Sequence, residues 1–282
     1  MAKALDNTRQ LFHAAEPVVM GILNVTPDSF SDGGLYTRVE TALDQALQMI
    51  GQGAHIIDVG GESTRPGAQP VSADEEIDRV LPVIEALRQR CDIPISIDTS
   101  KPQVMQAAVE AGATLVNDVN ALRADDALQT CARLGVPVCL MHMQGEPRTM
   151  QQAPQYDDVV AEVKAFLQQR AEACVAAGIA AQYILLDPGF GFGKTLAHNL
   201  TLFTGLRQLC GLKYPVLAGL SRKSMLAAIL ERPGAGQPAQ RVAASVAAAL
   251  LACQQGVRWL RVHDVEATVD ALKVWRAMAA PG

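Results

Sequence analysis

Residues 18–34 read VVMGILNVTPDSFSDGG, and this stretch decides the architecture. Val18 to Leu23 is an apolar run that stops at Asn24. Pro27 biases Thr26 away from helix and Gly33-Gly34 breaks any regular structure beyond it, so a strand opens into a polar loop. That loop gathers hydroxyls, carboxylates and one aromatic, Phe30. The pattern then recurs. His55–Val59 runs into Gly60-Gly61, Pro94–Ile97 into Asp98, Thr114–Val116 into Asn117-Asp118, and Val136–Met141 into His142. Ile184–Leu186 meets Asp187, Tyr214–Leu220 meets Ser221, and Trp259–Val262 meets His263-Asp264.

Between these runs the period is helical. Val39–Ile50 comes first, then a segment opened by the Ser72-x-x-Glu75 capping box and reaching Arg90. Thr99-Ser100-Lys101-Pro102 offers a hydroxyl cap and an early proline for the next. Asp125–Leu134, Tyr156–Ala177 and a helix from Leu196 come after it. A segment interrupted between Pro233 and Pro238 runs to Cys253, and the last helix ends near Ala279. Strands alternating with helices of this length imply parallel pairing through right-handed crossovers. Eight such units without a linker predict an α/β fold, a single-domain (β/α)8 TIM barrel over residues 1–282. Residues 1–16 read as a short N-terminal cap and 17–282 as the barrel. A doubly wound open sheet is the alternative, but no Gly-rich first turn dominates the chain.

Composition narrows function. Hydrophobic residues make up 49% and charged residues 19%, as in an ordinary soluble enzyme. A net charge of −5 and few aromatics argue against a nucleic-acid partner. The six cysteines are dispersed without a CxxC pair, which suits buried thiols better than a metal site. MAKALDNTRQ shows no apolar leader, and the longest apolar run, Val242–Cys253, is short of a membrane span. The expectation is a cytoplasmic chain with no membrane partner. The Val242–Cys253 helix is expected to be buried or subunit-facing. Asn24-Val25-Thr26 and Asn199-Leu200-Thr201 then match the glycosylation sequon by chance.

In such barrels the C-terminal strand ends build the site. Asn24, Asp58, Asp98, Asn117, Asp118, His142, Asp187, Ser221, Lys223, Arg261, His263 and Asp264 all fall there. Asp118 and Asp264 read equally well as helix caps. Arg261 and His263, two residues apart, share one side of the last strand and, beside Lys223, form a potential anion clamp. Asp98, Asn117 and Asp187 present acceptors that need donors from a ligand or a neighbouring cation; the alternative is an internal salt-bridge cluster. Gly189–Thr195, GFGFGKT, looks like a phosphate loop, but Pro188 stands where its first glycine belongs. Asp187-Pro188-Gly189 reads instead as a sharp strand exit with Phe190 or Phe192 as a wall. His142, among methionines, reads as structural.

The ordered series GILNVTPDSFSDGG (21–34), DVGGESTRPGA (58–68), SIDTSKP (96–102), NDV (117–119), MHMQG (141–145), LDPGFGFGK (186–194), LSRKSM (220–225) and RVHDV (261–265) resembles dihydropteroate synthase, a bacterial folate-pathway family, over nearly the whole chain. The resemblance implies condensation of a dihydropterin-methyl diphosphate with 4-aminobenzoate, releasing pyrophosphate. It implies that Asp98, Asn117, Met141, Asp187, Phe192, Gly219 and Lys223 form the pterin pocket, with Lys223, Asp187 and Asp98 catalytic. Asn24, Arg261 and His263 would hold the diphosphate. Asn24, with Asp32 as a second candidate, would bind Mg2+. Phe30, Thr64, Arg65, Pro66 and Ser224 would face 4-aminobenzoate, with residues 26–34 acting as a lid. A homodimer, small-molecule substrates and sulfonamide sensitivity are implied as well. Two alternatives differ in class. A pterin-dependent corrinoid methyltransferase would have little use for SRKS, the Arg261/His263 clamp or loops such as STRPG. A non-catalytic pterin-binding paralogue would not need an intact clamp and both loops.

Overall fold

The computed structural model describes residues 2–26, 35–63, 69–146 and 149–279, with the backbone alone at 35–37. Phe30, Asp32, Thr64, Arg65 and Pro66 therefore lie outside the described residues, as does most of the expected lid. Eight strands alternate with helices: β1 (Val18–Asn24), β2 (Ile56–Gly60), β3 (Ile95–Asp98), β4 (Leu115–Asp118), β5 (Val138–Met141), β6 (Ile184–Asp187), β7 (Leu217–Ala218) and β8 (Trp259–Val262). All pair parallel in the order β6-β5-β4-β3-β2-β1-β8-β7. A parallel bridge between Leu186 and Val216 joins β6 to the approach of β7 and closes the ring. The expected TIM barrel is the observed fold.

The helices are α1 (Ala2–Leu11), α2 (Leu35–Gly51), α3 (Ala73–Arg90), α4 (Pro102–Ala111), α5 (Ala127–Leu134), α6 (Val159–Ala176), α7 (Leu196–Thr204), α8 (Leu206–Cys210), α9 (Ser224–Leu230), α10 (Val242–Gln254) and α11 (Val265–Ala279). Several starts differ from the sequence reading. Ser72 does cap α3, accepting from Glu75 N–H at 3.2 Å. The Glu75 carboxylate pairs with Arg79, so only half of the capping box forms. At α4 the hydroxyl cap fails: Lys101 occupies the cap position without a side-chain bond, and Pro102 alone starts the helix. Ser100 Oγ donates to Asp118 instead. α6 begins at Val159 rather than Tyr156, because Asp158 accepts from Val160 and Ala161 N–H groups at 3.0 Å. β7 shrinks to two residues. Pro215 cannot donate to the ladder, and the chain turns where Lys223 N–H returns to Leu220 O at 3.3 Å.

Strand side chains alternate between the helix layer and the barrel interior. At the N-terminal end the interior is apolar: Val18, Met20, Ile56, Leu115, Cys139, Leu185, Leu217 and Trp259 form one buried cluster. Leu11, Phe12 and Ala14 pack on it from below, with the Phe12 ring 5.1 Å from Trp259. The α1 cap is tied down by the buried Thr8–Thr114 hydroxyl pair at 2.6 Å and by Lys3 to Asp92 at 2.7 Å. α10 is not wholly buried: Ser245, Ala249, Ala252 and Cys253 face inward, while Leu251 is 50% exposed. Among the described residues, no helix is long and apolar enough to cross a membrane.

Candidate functional site

Toward the C-terminal ends of the strands, the same inward parity turns the barrel interior polar. Asn24, Asp58, Asp98, Asn117, Met141, Asp187, Gly219, Arg261 and His263 sit on the inward positions of the eight strands or just beyond them. Arg261 organises the centre. Its Nε donates to Asp58 Oδ2 and its Nη2 to Asp98 Oδ2, each at 2.6 Å. Asn117 Nδ2 donates to the same Asp58 oxygen at 3.2 Å. One network thereby ties β2, β3, β4 and β8 at a single level. Burial opposes the Arg261 charge, but Asp58 and Asp98 outweigh it and hold the guanidinium above its usual range. Burial pushes the Asp98 carboxyl up to about 7; Arg261 pulls it back while Asp58 and Glu76 add to the rise. The internal cluster weighed against a ligand site is thus present, and its two ion pairs occupy Nε and Nη2 of Arg261 but not Nη1.

The sequence places Asp58 in the constellation without a task, and in the structure it is the hub. Its signal is a carboxylate inside the apolar run HIIDVGG, at the same inward parity as Asp98. The clamp expectation also changes. His263 is held down to about 3 by burial, with Arg261 and Arg222 adding to the effect, so the ring is neutral rather than a second cation. Its Nδ1 lies 3.0 Å from Ser221 Oγ. Neither carboxylate with a cap reading caps a helix through its side chain. Asp264 accepts Arg222 Nε at 3.0 Å, and Asp118 accepts the Asn120 and Leu122 N–H groups at 2.7 Å, closing a turn.

Across the mouth, Asp187 Oδ1 accepts from Gly189 N–H at 2.7 Å. Burial raises its pKa, and Gly189 and Lys223 oppose the rise. Burial lowers Lys223 to about 8, partly offset by Asp187. The Lys223 ammonium rests 4.1 Å from the Phe192 ring centroid, a cation–π contact, and Phe192 packs beside Met141, Met143 and Met150. Of the two phenylalanines offered as a wall, Phe190 is buried against Phe203, and Phe192 lines the site. A Cβ on Gly219 would meet Asp187 Oδ2 at 3.8 Å, ordinary contact, so no protein clash demands glycine there. Asn24 Oδ1 and Asp98 Oδ2 flank one point above Gly60, 3.8 and 3.7 Å from where its Cβ would stand. Ser224 is exposed at the start of α9, next to Lys223.

The GFGFGKT segment does not form a phosphate cradle. Lys194, 2% exposed, folds back into its own loop and donates to the carbonyls of Gly189 and Phe192, each at 3.0 Å. His142 is buried beside it, with Nδ1 3.0 Å from Lys194 Nζ and its ring edge-on to Phe166. The structural reading of His142 agrees with this geometry.

The sequence pattern of the family described as "Pterin binding enzyme" matches residues 20–263. The chain belongs to that family of pterin-binding enzymes, among the dihydropteroate synthases. The Haemophilus influenzae dihydropteroate synthase is 53% identical, over 93% of this chain and 94% of that protein. Among solved structures, Xanthomonas albilineans dihydropteroate synthase with 4-aminobenzoic acid is 56% identical and superposes with a TM-score of 0.88, covering 95% of both chains. The Xanthomonas enzyme in complex with 7,8-dihydropteroate matches at 53% identity and a TM-score of 0.85, again over 95% of each. The family membership and the barrel architecture agree with the sequence reading.

Proposed function

We propose that this enzyme condenses (7,8-dihydropterin-6-yl)methyl diphosphate with 4-aminobenzoate, giving 7,8-dihydropteroate and pyrophosphate. The observation that carries the reading is the convergence of Asp98, Asn117 and Asp187 on one mouth, walled by Phe192 under Lys223. A pterin presents a row of N–H donors to those acceptors, and a flat ring to that wall. On the β8 side, Arg261 Nη1, neutral His263 and the Asn24 amide face the diphosphate, with Arg261 as the fixed positive charge.

In the reaction the bond from the exocyclic carbon to the diphosphate oxygen breaks, and pyrophosphate leaves with the electron pair. The buried carboxylates Asp98 and Asp187 favour the positive charge that develops on that carbon, an SN1-like path. The aniline nitrogen then forms the new C–N bond and gives up a proton. Among the described residues no cluster of three or more His, Cys, Asp or Glu could hold a resident metal. Mg2+ keeps several waters and is commonly carried on substrate phosphates with one or two protein oxygens, and the lone Asn24 amide oxygen fits that role. Bound there, Mg2+ would neutralise charge on the departing pyrophosphate. Asp32 is proposed as a second oxygen ligand, and Phe30, Thr64, Arg65, Pro66 and Ser224 as the 4-aminobenzoate side, where sulfonamides would compete.

We place the enzyme in the cytoplasm as a homodimer. All six cysteines are free thiols, as expected of a reducing compartment. Ala243, Ala247 and Leu251 align as an exposed apolar face of α10 suited to a second copy. Light scattering should give twice the chain mass. For the reaction, purified protein with both substrates and Mg2+ should form dihydropteroate by mass spectrometry and stop when a chelator is added. Unchanged turnover in the chelator would remove Mg2+ from the scheme.

A further inference from the structure

The phosphate-loop lookalike, left without a task by the anion site, is built around one buried cation. Lys194 Nζ collects His142 Nδ1, Gly189 O and Phe192 O, each at 3.0 Å, and His142 O at 3.5 Å. Burial lowers the Lys194 pKa to about 7, against the pull of Asp187; in the charged form three donors meet four acceptors, so the group is saturated and serves no substrate directly. What it joins is informative. Gly189 gives its N–H to Asp187 Oδ1, and Phe192 carries the ring beneath Lys223. The chain of contacts runs from His142 through Lys194 to Gly189 and Phe192, and from those to Asp187 and Lys223.

The loop around this cation has little freedom to relax. Gly189 has φ of 69° and Gly193 of 61°, and a Cβ on either would come within 1.9 Å of His142 O or 2.3 Å of Gln144 O. Tyr156 Oη donates to Gly193 O at 2.8 Å, Gly191 N–H donates to Asn199 Oδ1 at 2.8 Å, and Gln151 Nε2 donates to Gly191 O at 2.6 Å. These bonds fix the outer part of the loop. At its inner edge the Phe192 N–H donates to Gly189 O at 3.1 Å and the His142 N–H to Asp187 O at 2.9 Å, and Lys194 adds the side-chain bonds that tie Gly189 O and Phe192 O together. Removing the ammonium would leave the Phe192 carbonyl and a histidine nitrogen buried without a donor and the Gly189 carbonyl with the Phe192 N–H alone, and the loop would have to move to hydrate them.

Resting on the pterin-pocket reading above, we infer that Lys194 is a positioning residue for the pterin pocket: its buried ammonium clamps Gly189 and Phe192 onto His142 and so sets the Phe192 ring and the Asp187 carboxylate. The segment that looks like a phosphate loop uses its lysine inward, on its own carbonyls, rather than outward on an anion. The positioned surface faces the pterin and not 4-aminobenzoate.

Lys194→Met removes the donors and keeps the length; Lys194→Gln keeps an amide able to serve the two carbonyls. Wild-type turnover with both substrates comes first, and its failure would strike the pterin-pocket reading itself. With that in hand, direct binding of the pterin diphosphate without 4-aminobenzoate should weaken roughly tenfold in Lys194→Met, as expected for a small misplacement of binding groups. The KM for 4-aminobenzoate should stay within about twofold, and Lys194→Gln should recover part of the pterin affinity. If Lys194→Met does not fold, Lys194→Gln alone should show a smaller loss confined to the pterin. In a double-mutant cycle, Phe192→Ala should absorb most of the Lys194 effect, since both act through one ring. A loss shared equally by both substrates, an unchanged pterin affinity in folded variants, or additivity with Phe192→Ala would overturn the proposal.

Discussion

The two ends of the barrel interior are built from the same eight strands and teach opposite lessons. Toward the N-terminal end the inward positions are Val18, Met20, Ile56, Leu115, Cys139, Leu185, Leu217 and Trp259, sealed by α1 and Phe12. Further along six of the eight strands they become Asn24, Asp58, Asp98, Asn117, Asp187 and Arg261, while β5 and β7 lead to Met141 and Gly219. The lower end stabilises the fold by apolar burial, a nondirectional contribution roughly proportional to area. The upper end is held by directional bonds around one arginine and shows the burial-shifted pKa values expected at functional sites.

The contrast can be broken most forcefully from below. Trp259→Ala should cost about 3–5 kcal/mol of stability, read from the denaturant midpoint, while the folded fraction binds pterin diphosphate as before. A variant that kept its stability but lost binding would erase the division between the ends. Asp187→Asn should do the reverse: turnover falling roughly 10²–10³-fold, with thermal unfolding moved by only a few degrees. Asp118 is a carboxylate at the upper end that is spent on the fold, bonded to the Ser100 hydroxyl of the neighbouring strand exit and to the Asn120 and Leu122 N–H groups of its own turn. Asp118→Ala should therefore behave like a lower-end change, costing about 1–3 kcal/mol with kcat nearly unaltered.

The smallest effect is one of pH. Lys223 titrates at about 8 in the folded chain against an ordinary 10.5, because burial disfavours its charge. Between those values the unfolded chain holds the extra proton, so stability from this group rises with pH. Pterin binding should fall over the same range as the ammonium deprotonates. Binding and melting temperature measured from pH 7 to 10 should thus move in opposite directions, and Lys223→Arg should flatten the binding limb. Parallel trends would contradict the assignment of Lys223.

The barrel is legible in the sequence because its signal is repetitive: eight apolar runs, each stopping at a polar residue, leave few other topologies. Strand parity also brings Arg261, His263, Asp98 and Asp187 to one end correctly. What parity does not carry is pairing. The hub role of Asp58 depends on β2 and β8 flanking β1 in the closed ring, with Arg261 spanning to β2 over 203 positions of sequence. The neutrality of His263 depends first on its burial and then on the cations packed around it. Lys194 misleads for a related reason: its spacing mimics an anion-binding loop, and only the fold shows the side chain turned back on Gly189 and Phe192. The hydroxyl cap expected at Thr99-Ser100 is lost to competition, since Ser100 finds Asp118 across the neighbouring strand.

In the proposed reaction the carboxylates and the arginine of the upper end act on two substrates in one condensation. Its most direct test is pyrophosphate release by the purified protein with Mg2+. Release is expected only when the pterin diphosphate and 4-aminobenzoate are both present, in one-to-one ratio with dihydropteroate. Release that ignores 4-aminobenzoate, or no release with both substrates, would contradict it.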